Sequence, residues 1–218
     1  MSKKIKFAQG QMYEYEIYNL VEAHSPILKQ KMPYFDFNNA PINPKFLAIS
    51  LIETMVKNRG VGLSANQVGL PYRVFVMGAE KVGFACFNPE IIESSGIDSF
   101  DEGCLSYPGL FLPIKRASKI KVRYTDFNGI NKEETFTGFT ARIFQHEYDH
   151  LEGICHLSRS SPIHLEKAKR KVKSNIKKLE EQRKAFELQR KQELPKPKIE
   201  FTQAEPVAQA PQIKLVNL

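Results

Sequence analysis

The sequence predicts an α+β fold, in which short strands precede one helix and a much longer helix follows. Two observations predict this class. Residues 120–124 alternate apolar and basic side chains, as a half-buried strand does, and a turn at 126–129 leads into a returning strand at 132–137. Residues 139–151 and 163–194 instead carry apolar side chains at helical spacing.

The remaining elements follow from local signals along the chain. The arm at 1–43 is rich in aromatic side chains and holds three prolines, which predicts irregular, partly packed structure. Asn43 is expected to cap a helix that begins at Pro44 and is closed by Gly60. Segment 195–218 holds four prolines and no apolar period, which predicts disorder. Further short strands are expected at 72–77, 84–87 and 91–94.

The positive charge is concentrated near the C-terminus. Residues 163–194 carry eleven basic and five acidic side chains, whereas residues 1–162 carry 18 basic and 17 acidic ones. A nearly neutral body with a basic arm favours an enzyme or module delivered to a polyanion over a nucleic-acid-binding fold. Three cysteines argue against a secreted disulfide framework, and neither a secretory signal nor a membrane-spanning apolar run is recognisable. We therefore expect a soluble, cytoplasmic protein.

A pair of histidines one helical turn apart marks the helix at 139–151. His146 and His150 stand at positions i and i+4, so both side chains lie on one face and can bind the same metal ion. Glu147 lies beside them, placed to take a proton from a metal-bound water molecule. A helix with histidines and acids on a solvent-exposed face would give the same spacing. A catalytic centre also needs a third protein ligand and one open coordination position.

Two residues could supply that third ligand. His156 completes the His-Glu-x-x-His-x-x-Gly-x-x-His pattern of the metzincin zinc proteases, with Gly153 in the turn. Cys104 would instead give a site of one thiolate and two imidazoles. Three observations favour Cys104: all five methionines lie before residue 78, so none can form the metzincin Met-turn; no secretory signal is recognisable; and the glycine-rich segment 60–67 has no role in a metzincin.

Three segments together resemble the motifs of the peptide deformylase family. Residues 60–67 resemble Gly-x-Gly-x-Ala-Ala-x-Gln, residues 102–106 match Glu-Gly-Cys-Leu-Ser, and residues 145–153 match Gln-His-Glu-x-Asp-His-Leu-x-Gly. The resemblance covers about residues 24–160 and implies small antiparallel sheets around a central metal-binding helix. It also implies metal-dependent hydrolysis of the N-formyl group of formyl-methionine on nascent polypeptides, with release of formate.

The resemblance implies a role for each matching residue. Glu147 is the general base and later the acid for the departing amine, while the Gln67 side-chain amide and the Leu105 backbone N–H hold the oxyanion. One divalent metal ion is expected, typically Fe²⁺, which Ni²⁺, Co²⁺ or Zn²⁺ can replace. Its ligands are Cys104, His146 and His150.

Further residues are expected to contact the peptide. Gly62 offers its backbone to the substrate, since a missing Cβ permits close approach. Other side chains are expected to shape the methionine pocket or otherwise bind the substrate, and these are Val61, Glu102, Phe139, Arg142 and Ile143. The alternative is that these side chains only pack within the fold.

Several residues depart from the family pattern. Ser64 stands where the family usually has Ala, and we expect its hydroxyl to be tolerated. Phe111 lies where a basic residue often follows the cysteine motif, so recognition of the peptide backbone is expected to differ. His156 occupies a place that is usually apolar or aromatic. Asp149 is expected to pair with Arg116 in a structural ion pair.

The basic helix at 163–194 resembles, in position and charge, the C-terminal helix with which bacterial deformylases dock on the ribosome. A basic helix gains affinity for phosphates by releasing counterions, without reading sequence. The alternative is a coiled-coil seam, because Leu165, Val172 and Leu179 recur every seven residues. We expect a catalytic domain at 1–160, this helix, and a tail at 195–218. The long extension is compatible with a phage origin.

A third hypothesis is a catalytically silent binding module held on ribosomes by the basic arm. The presence of Glu147 together with all three expected ligands speaks against it. These residues therefore favour the hydrolase.

Overall fold

The computed structural model describes residues 3–6, 12–79 and 82–193. The strands are β1 (Lys3–Lys6), β2 (Met12–Tyr15), β3 (Gly62–Ser64), β4 (Val74–Ala79), β5 (Val82–Ser95), β6 (Asp98–Cys104), β7 (Tyr107–Arg116), β8 (Lys119–Thr125) and β9 (Asn131–Thr137). The α-helices are α1 (Pro44–Lys57), α2 (Gly138–Leu151) and α3 (Pro162–Glu193). Short 3-10 helices cover Pro26–Lys29, Ala65–Val68 and His156–Arg159.

The described strands form three antiparallel sheets. The largest has five strands in the order β3-β4-β5-β8-β9, while β1 pairs with β2 and β6 pairs with β7. Antiparallel sheets combined with separate helices confirm the expected α+β class. None of the helices in the described part of the chain is both long and apolar enough to cross a membrane.

The large sheet packs against α1 on one face and α2 on the other. Alternate residues of β4 point to opposite faces, as the period of a strand requires. Val74 and Val76 belong to the same buried cluster as Leu51 of α1. Phe75 belongs to the cluster on the other face, where its ring meets that of Phe144 of α2 edge-on, with 5.0 Å between the ring centroids. Helix α2, which carries the histidine motif, is therefore fixed against a buried sheet surface.

Helix α1 begins as expected and ends one residue earlier than the sequence suggests. The Asn43 side chain accepts hydrogen bonds from the backbone N–H groups of Lys45 and Phe46, both at 3.0 Å. The left-handed residue that follows the helix is Arg59, with φ 57°, and not the expected Gly60. Such a conformation is unusual for a residue with a side chain.

The hairpin of β6 and β7 was not expected from the sequence. Its strands include Gly103 and Gly109 together with several acidic residues, which have low strand propensity and obscure the alternating pattern. The expected irregular arm at 1–43 was also wrong in part, because β1 and β2 form a two-stranded sheet. The two strands predicted at 84–87 and 91–94 are one strand, β5, whose pairing shifts register on either side of Glu90.

The chain divides into two units between Ser174 and Asn175, within α3. In the first unit, Leu165, Ala168 and Val172 of α3 pack against the buried apolar cluster of β7. In the second unit the described residues, 175–193, are helical, and Leu179 is 64% exposed. The predicted tail at 195–218 lies outside the described residues, and the domain boundaries proposed from the sequence stay a prediction.

Candidate active site

The histidine motif lies on the buried side of α2, so its side chains are not the surface groups that a solvent-exposed helix would carry. His146, Glu147 and His150 are 9%, 4% and 2% exposed. Cys104 lies at the end of β6, where pairing with β7 shifts register between Glu102 and Cys104. Such an irregularity bends a strand and redirects its side chains. It brings the cysteine to the histidine pair.

Three ligand atoms meet at this point. The Cys104 Sγ lies 3.3 Å from the His150 Nε2, and the ring centroids of His146 and His150 are 5.1 Å apart. The potential ligand atoms of the three residues all lie within 4.8 Å of one another. One sulfur and two imidazole nitrogens suit a transition-metal ion. Among the described residues, Cys104, His146 and His150 are the group of histidine, cysteine or acidic side chains that could hold one metal ion.

His156 is placed outside this group. Its ring is 1% exposed and its centroid lies 5.8 Å from that of His146. Burial lowers the pKa of His156 to about 4, so the ring is neutral. The structure therefore places Cys104, and not His156, with the histidine pair.

A buried carboxylate fixes the orientation of His146. The Glu102 Oε2 lies 3.0 Å from the His146 Nδ1, which leaves the Nε2 on the other side of the ring for a ligand. Arg116 donates two hydrogen bonds to the Glu102 carboxylate, at 2.7 and 2.9 Å, and Arg142 donates a third at 2.7 Å. Burial alone would raise the pKa of Glu102, but the hydrogen bonds from His146 and Arg116 outweigh it and lower this pKa to about 2.

The pKa values of the two histidines shift in opposite directions. Burial alone would lower the pKa of His146, but hydrogen bonds with Cys104 and Glu102 raise it to about 10. Burial and the neighbouring charge of His146 hold the pKa of His150 well below its ordinary value. A positive charge is thus stabilised between the sulfur and Glu102, where a metal cation would take the place of the proton.

Glu147 is held by two residues of β3. The Ser64 hydroxyl lies 2.8 Å from the Glu147 Oε2, and burial raises the pKa of this carboxyl. A Cβ at Gly62 would come within 2.3 Å of the Glu147 Oε1. The glycine is therefore needed to make room for the carboxylate. From the sequence, the missing side chain was expected to serve substrate approach alone.

Gln67 directs its amide nitrogen towards the cluster. Its Nε2 donates to the Ser106 Oγ at 3.1 Å and lies 3.5 Å from the Cys104 Sγ. Its Oε1 accepts the backbone N–H of Ser64 at 2.9 Å, which fixes the amide orientation. Leu105, directly after Cys104, lines the same cavity.

A cavity of about 630 Å³ opens beside these groups. Val61, Phe139 and Ile143 lie in its wall, as does Phe111, which is 60% exposed. Arg142 also lines it, but its guanidinium is engaged by Glu102 and by the Ile114 carbonyl. The cavity thus has apolar walls at its mouth and ionisable groups at its base.

The expected pair of Asp149 and Arg116 is confirmed. The Arg116 Nη1 donates to the Asp149 Oδ2 at 2.8 Å, and Arg159 also pairs with Asp149. The contact of Ser106 with Gln67 and that of Arg142 with Glu102 were not predicted from the sequence. The latter residues are 40 positions apart, and no local pattern links them.

Comparisons with known proteins identify one family. A family model described as polypeptide deformylase matches residues 17–166. Peptide deformylase 1 of Clostridium perfringens is 47% identical over 140 residues, which are 63% of this chain and 94% of the relative. The crystal structure of peptide deformylase from Thermotoga maritima is 39% identical, with a TM-score of 0.62 over 67% of this chain and 99% of that one.

A further similar structure is the Met-Ala-Ser-bound class I type b peptide deformylase from Acinetobacter baumannii. It is 32% identical, with a TM-score of 0.61 over 66% of this chain and 98% of that one. The family match spans the segment that contains the cavity and its ionisable groups. The chain therefore belongs to the polypeptide deformylase family, hydrolases that remove the N-formyl group from nascent peptides.

Proposed function

We propose that this deformylase carries out its reaction at the cluster of Cys104, His146 and His150. The observation that supports this most directly is the meeting of one sulfur and two imidazoles beside the buried Glu147 carboxylate, at the base of a cavity. The donor set fits a divalent transition metal. We propose Fe²⁺ as the native ion, with Ni²⁺, Co²⁺ or Zn²⁺ as substitutes.

The reaction needs a nucleophile and a proton carrier. When bound, the ion lowers the pKa of water and supplies hydroxide near neutral pH. Glu147 takes up the proton, and its raised pKa suits it to hold that proton and return it to the departing amine. The formyl C–N bond breaks, and the products are formate and a peptide with a free N-terminal methionine.

Two donors from this chain stabilise the charge that develops on the formyl oxygen. The Gln67 Nε2 is held facing the cluster by the Ser64 N–H, and the backbone N–H of Leu105 is adjacent in sequence to the proposed ligand Cys104. Removing one such donor typically costs on the order of 10²–10³ in rate. Glu102 acts by orienting His146, since its carboxylate already has three partners.

The substrate is formyl-methionine at the start of a nascent chain. We propose that the apolar cavity wall of Val61, Phe139 and Ile143 receives the methionine side chain, and that the Gly62 backbone pairs with the peptide. The Met-Ala-Ser-bound relative from Acinetobacter baumannii supports a short peptide of this type as ligand.

The basic helix is proposed to bring the enzyme to its substrate. Ribosomal RNA is a polyanion, and the described part of α3 carries many more basic than acidic side chains. We propose the bacterial cytoplasm, or that of an infected bacterium, as the location, because formylated nascent chains leave ribosomes there. We also propose the division into a catalytic domain at 1–160, a helix at 163–194 and a disordered tail at 195–218.

The ligand set is tested by Cys104→Ala, with His156→Gln as the matched control. The first change removes a proposed metal ligand and should weaken metal affinity by more than about 100-fold, the upper range for losing an outer partner of a metal ligand. The second should leave metal content unchanged. Metal analysis and formate release from formyl-Met-Ala-Ser measure both. Loss of metal in His156→Gln with retention in Cys104→Ala would favour the metzincin ligand set.

The packing of Glu147 is tested by Gly62→Ala. The added Cβ would come within 2.3 Å of the carboxylate, so Glu147 must move, and kcat should fall by on the order of 100-fold. Gly83→Ala is the control, because its nearest contacts, to Ile52, are at 3.4 Å. Equal kcat values for the two variants would contradict the proposed role of Glu147.

Ribosome binding is tested by replacing Lys177, Lys178 and Lys184 with Gln. Binding should weaken, and the slope of log affinity against log salt should fall by about 0.7 for each phosphate that the helix no longer neutralises. The control replaces Lys115, Lys119 and Lys132 and removes the same charge from β7, β8 and β9. Ribosome sedimentation over a salt series measures both the affinity and its dependence on salt. Equal effects of the two triple variants would refute the proposal for α3.

A further inference from the structure

The Ser64 hydroxyl is a buried polar group that the family motif does not require. Ser64 has no exposed surface. Its Oγ lies 2.8 Å from the Glu147 Oε2 and 3.0 Å from the Glu147 backbone oxygen. A hydroxyl buried at this depth costs free energy unless it is hydrogen-bonded, so its two acceptors explain how it is retained.

Ser64 is itself rigidly placed. It pairs with Phe75 of β4, and the Phe75 ring packs on Phe144 of α2, just before the histidine motif. The backbone of Ser64 is thus fixed to the same sheet surface that fixes α2. Because β3 and α2 are both fixed, a hydrogen bond from Ser64 to the Glu147 side chain also fixes the position of that side chain.

Gly62 and Ser64 act on the same carboxylate from one side of β3. Residues i and i+2 of a strand share a face. The Ser64 hydroxyl is bonded to Oε2, while the backbone of Gly62 leaves just enough room for Oε1. The two residues together limit the rotation of the Glu147 carboxylate.

We propose that Ser64 is a positioning residue for deformylation, whose hydroxyl holds the Glu147 carboxylate in its working orientation. The inference rests on the proposed role of Glu147 as proton carrier. Ser64 also contacts Gln67, because its backbone N–H donates to the Gln67 Oε1 and the two residues form a capping box at the start of the 3-10 helix Ala65–Val68. The hydroxyl makes its short side-chain contact with the Glu147 Oε2, and a combination with a Glu147 variant separates the two roles.

The hydroxyl has two acceptors on the same residue. The Glu147 Oε2 lies 2.8 Å from the Ser64 Oγ and the Glu147 backbone oxygen lies 3.0 Å from it. The hydroxyl hydrogen can rotate to donate to either one. The contact therefore links the carboxylate and the backbone of Glu147 to β3.

The first test is Ser64→Ala in the metal-loaded, full-length enzyme. We expect kcat to fall about tenfold, the lower range for losing an outer partner, with KM for formyl-Met-Ala-Ser changed less than about twofold. Metal content and the absorption spectrum of the Co²⁺ form should not change. Ser50→Ala is the control, since Ser50 is also fully buried and accepts one backbone hydrogen bond, from Glu16. It should lower stability to a similar degree and leave kcat unchanged.

The second test combines Ser64→Ala with Glu147→Ala. If Ser64 acts through Glu147, its loss should not reduce the residual formate release of Glu147→Ala any further. The same tenfold loss in both backgrounds, or an unchanged kcat in Ser64→Ala alone, would overturn the inference. Full activity of Glu147→Ala would instead overturn the proposed function of Glu147. If Ser64→Ala fails to fold, Ser64→Cys, which keeps the side-chain volume but donates weakly, should show the same change in kcat to a smaller degree.

Discussion

The burial of a charged helix face is the constraint on which this structure depends. Helix α2 packs against the five-stranded sheet, yet His146, Glu147, Asp149 and His150 lie within five consecutive positions and are all buried. An unpaired charge in such a place costs several kcal/mol. Every one of the acidic groups accordingly has a partner, and these partners come from distant parts of the chain.

Those partners also create the site. Arg116 pairs with Asp149 on one side and with Glu102 on the other, and Glu102 in turn orients His146. The same contacts that make burial of α2 tolerable leave one nitrogen of His146 facing Cys104. Stability and the arrangement of potential metal ligands are therefore consequences of one network of hydrogen bonds.

The sequence was sufficient to predict what depends on local spacing. The pair His146 and His150, the cap at Asn43 and the period of β8 are each readable within a few residues. Cys104 was favoured as a ligand from the sequence, but the strand that carries it was not predicted, because its hairpin lacks a clear strand pattern.

The support around the ligands could not be predicted. The partners Arg142 and Glu102, and Ser64 and Glu147, are 40 and 83 positions apart, and no periodicity links them. Ser64 was expected to be merely tolerated, whereas the structure gives its hydroxyl two acceptors on the buried Glu147. Long-range polar contacts of this kind depend on the tertiary fold and not on local propensity.

We propose that Cys104, His146 and His150 hold one metal ion. The most direct measurement is a crystal structure of the metal-loaded protein, with anomalous scattering recorded on both sides of the absorption edge of the metal. We expect a single strong peak within bonding distance of the sulfur of Cys104 and of one ring nitrogen of each histidine. A peak bonded to His156, with the sulfur turned away from the imidazole pair, would contradict it.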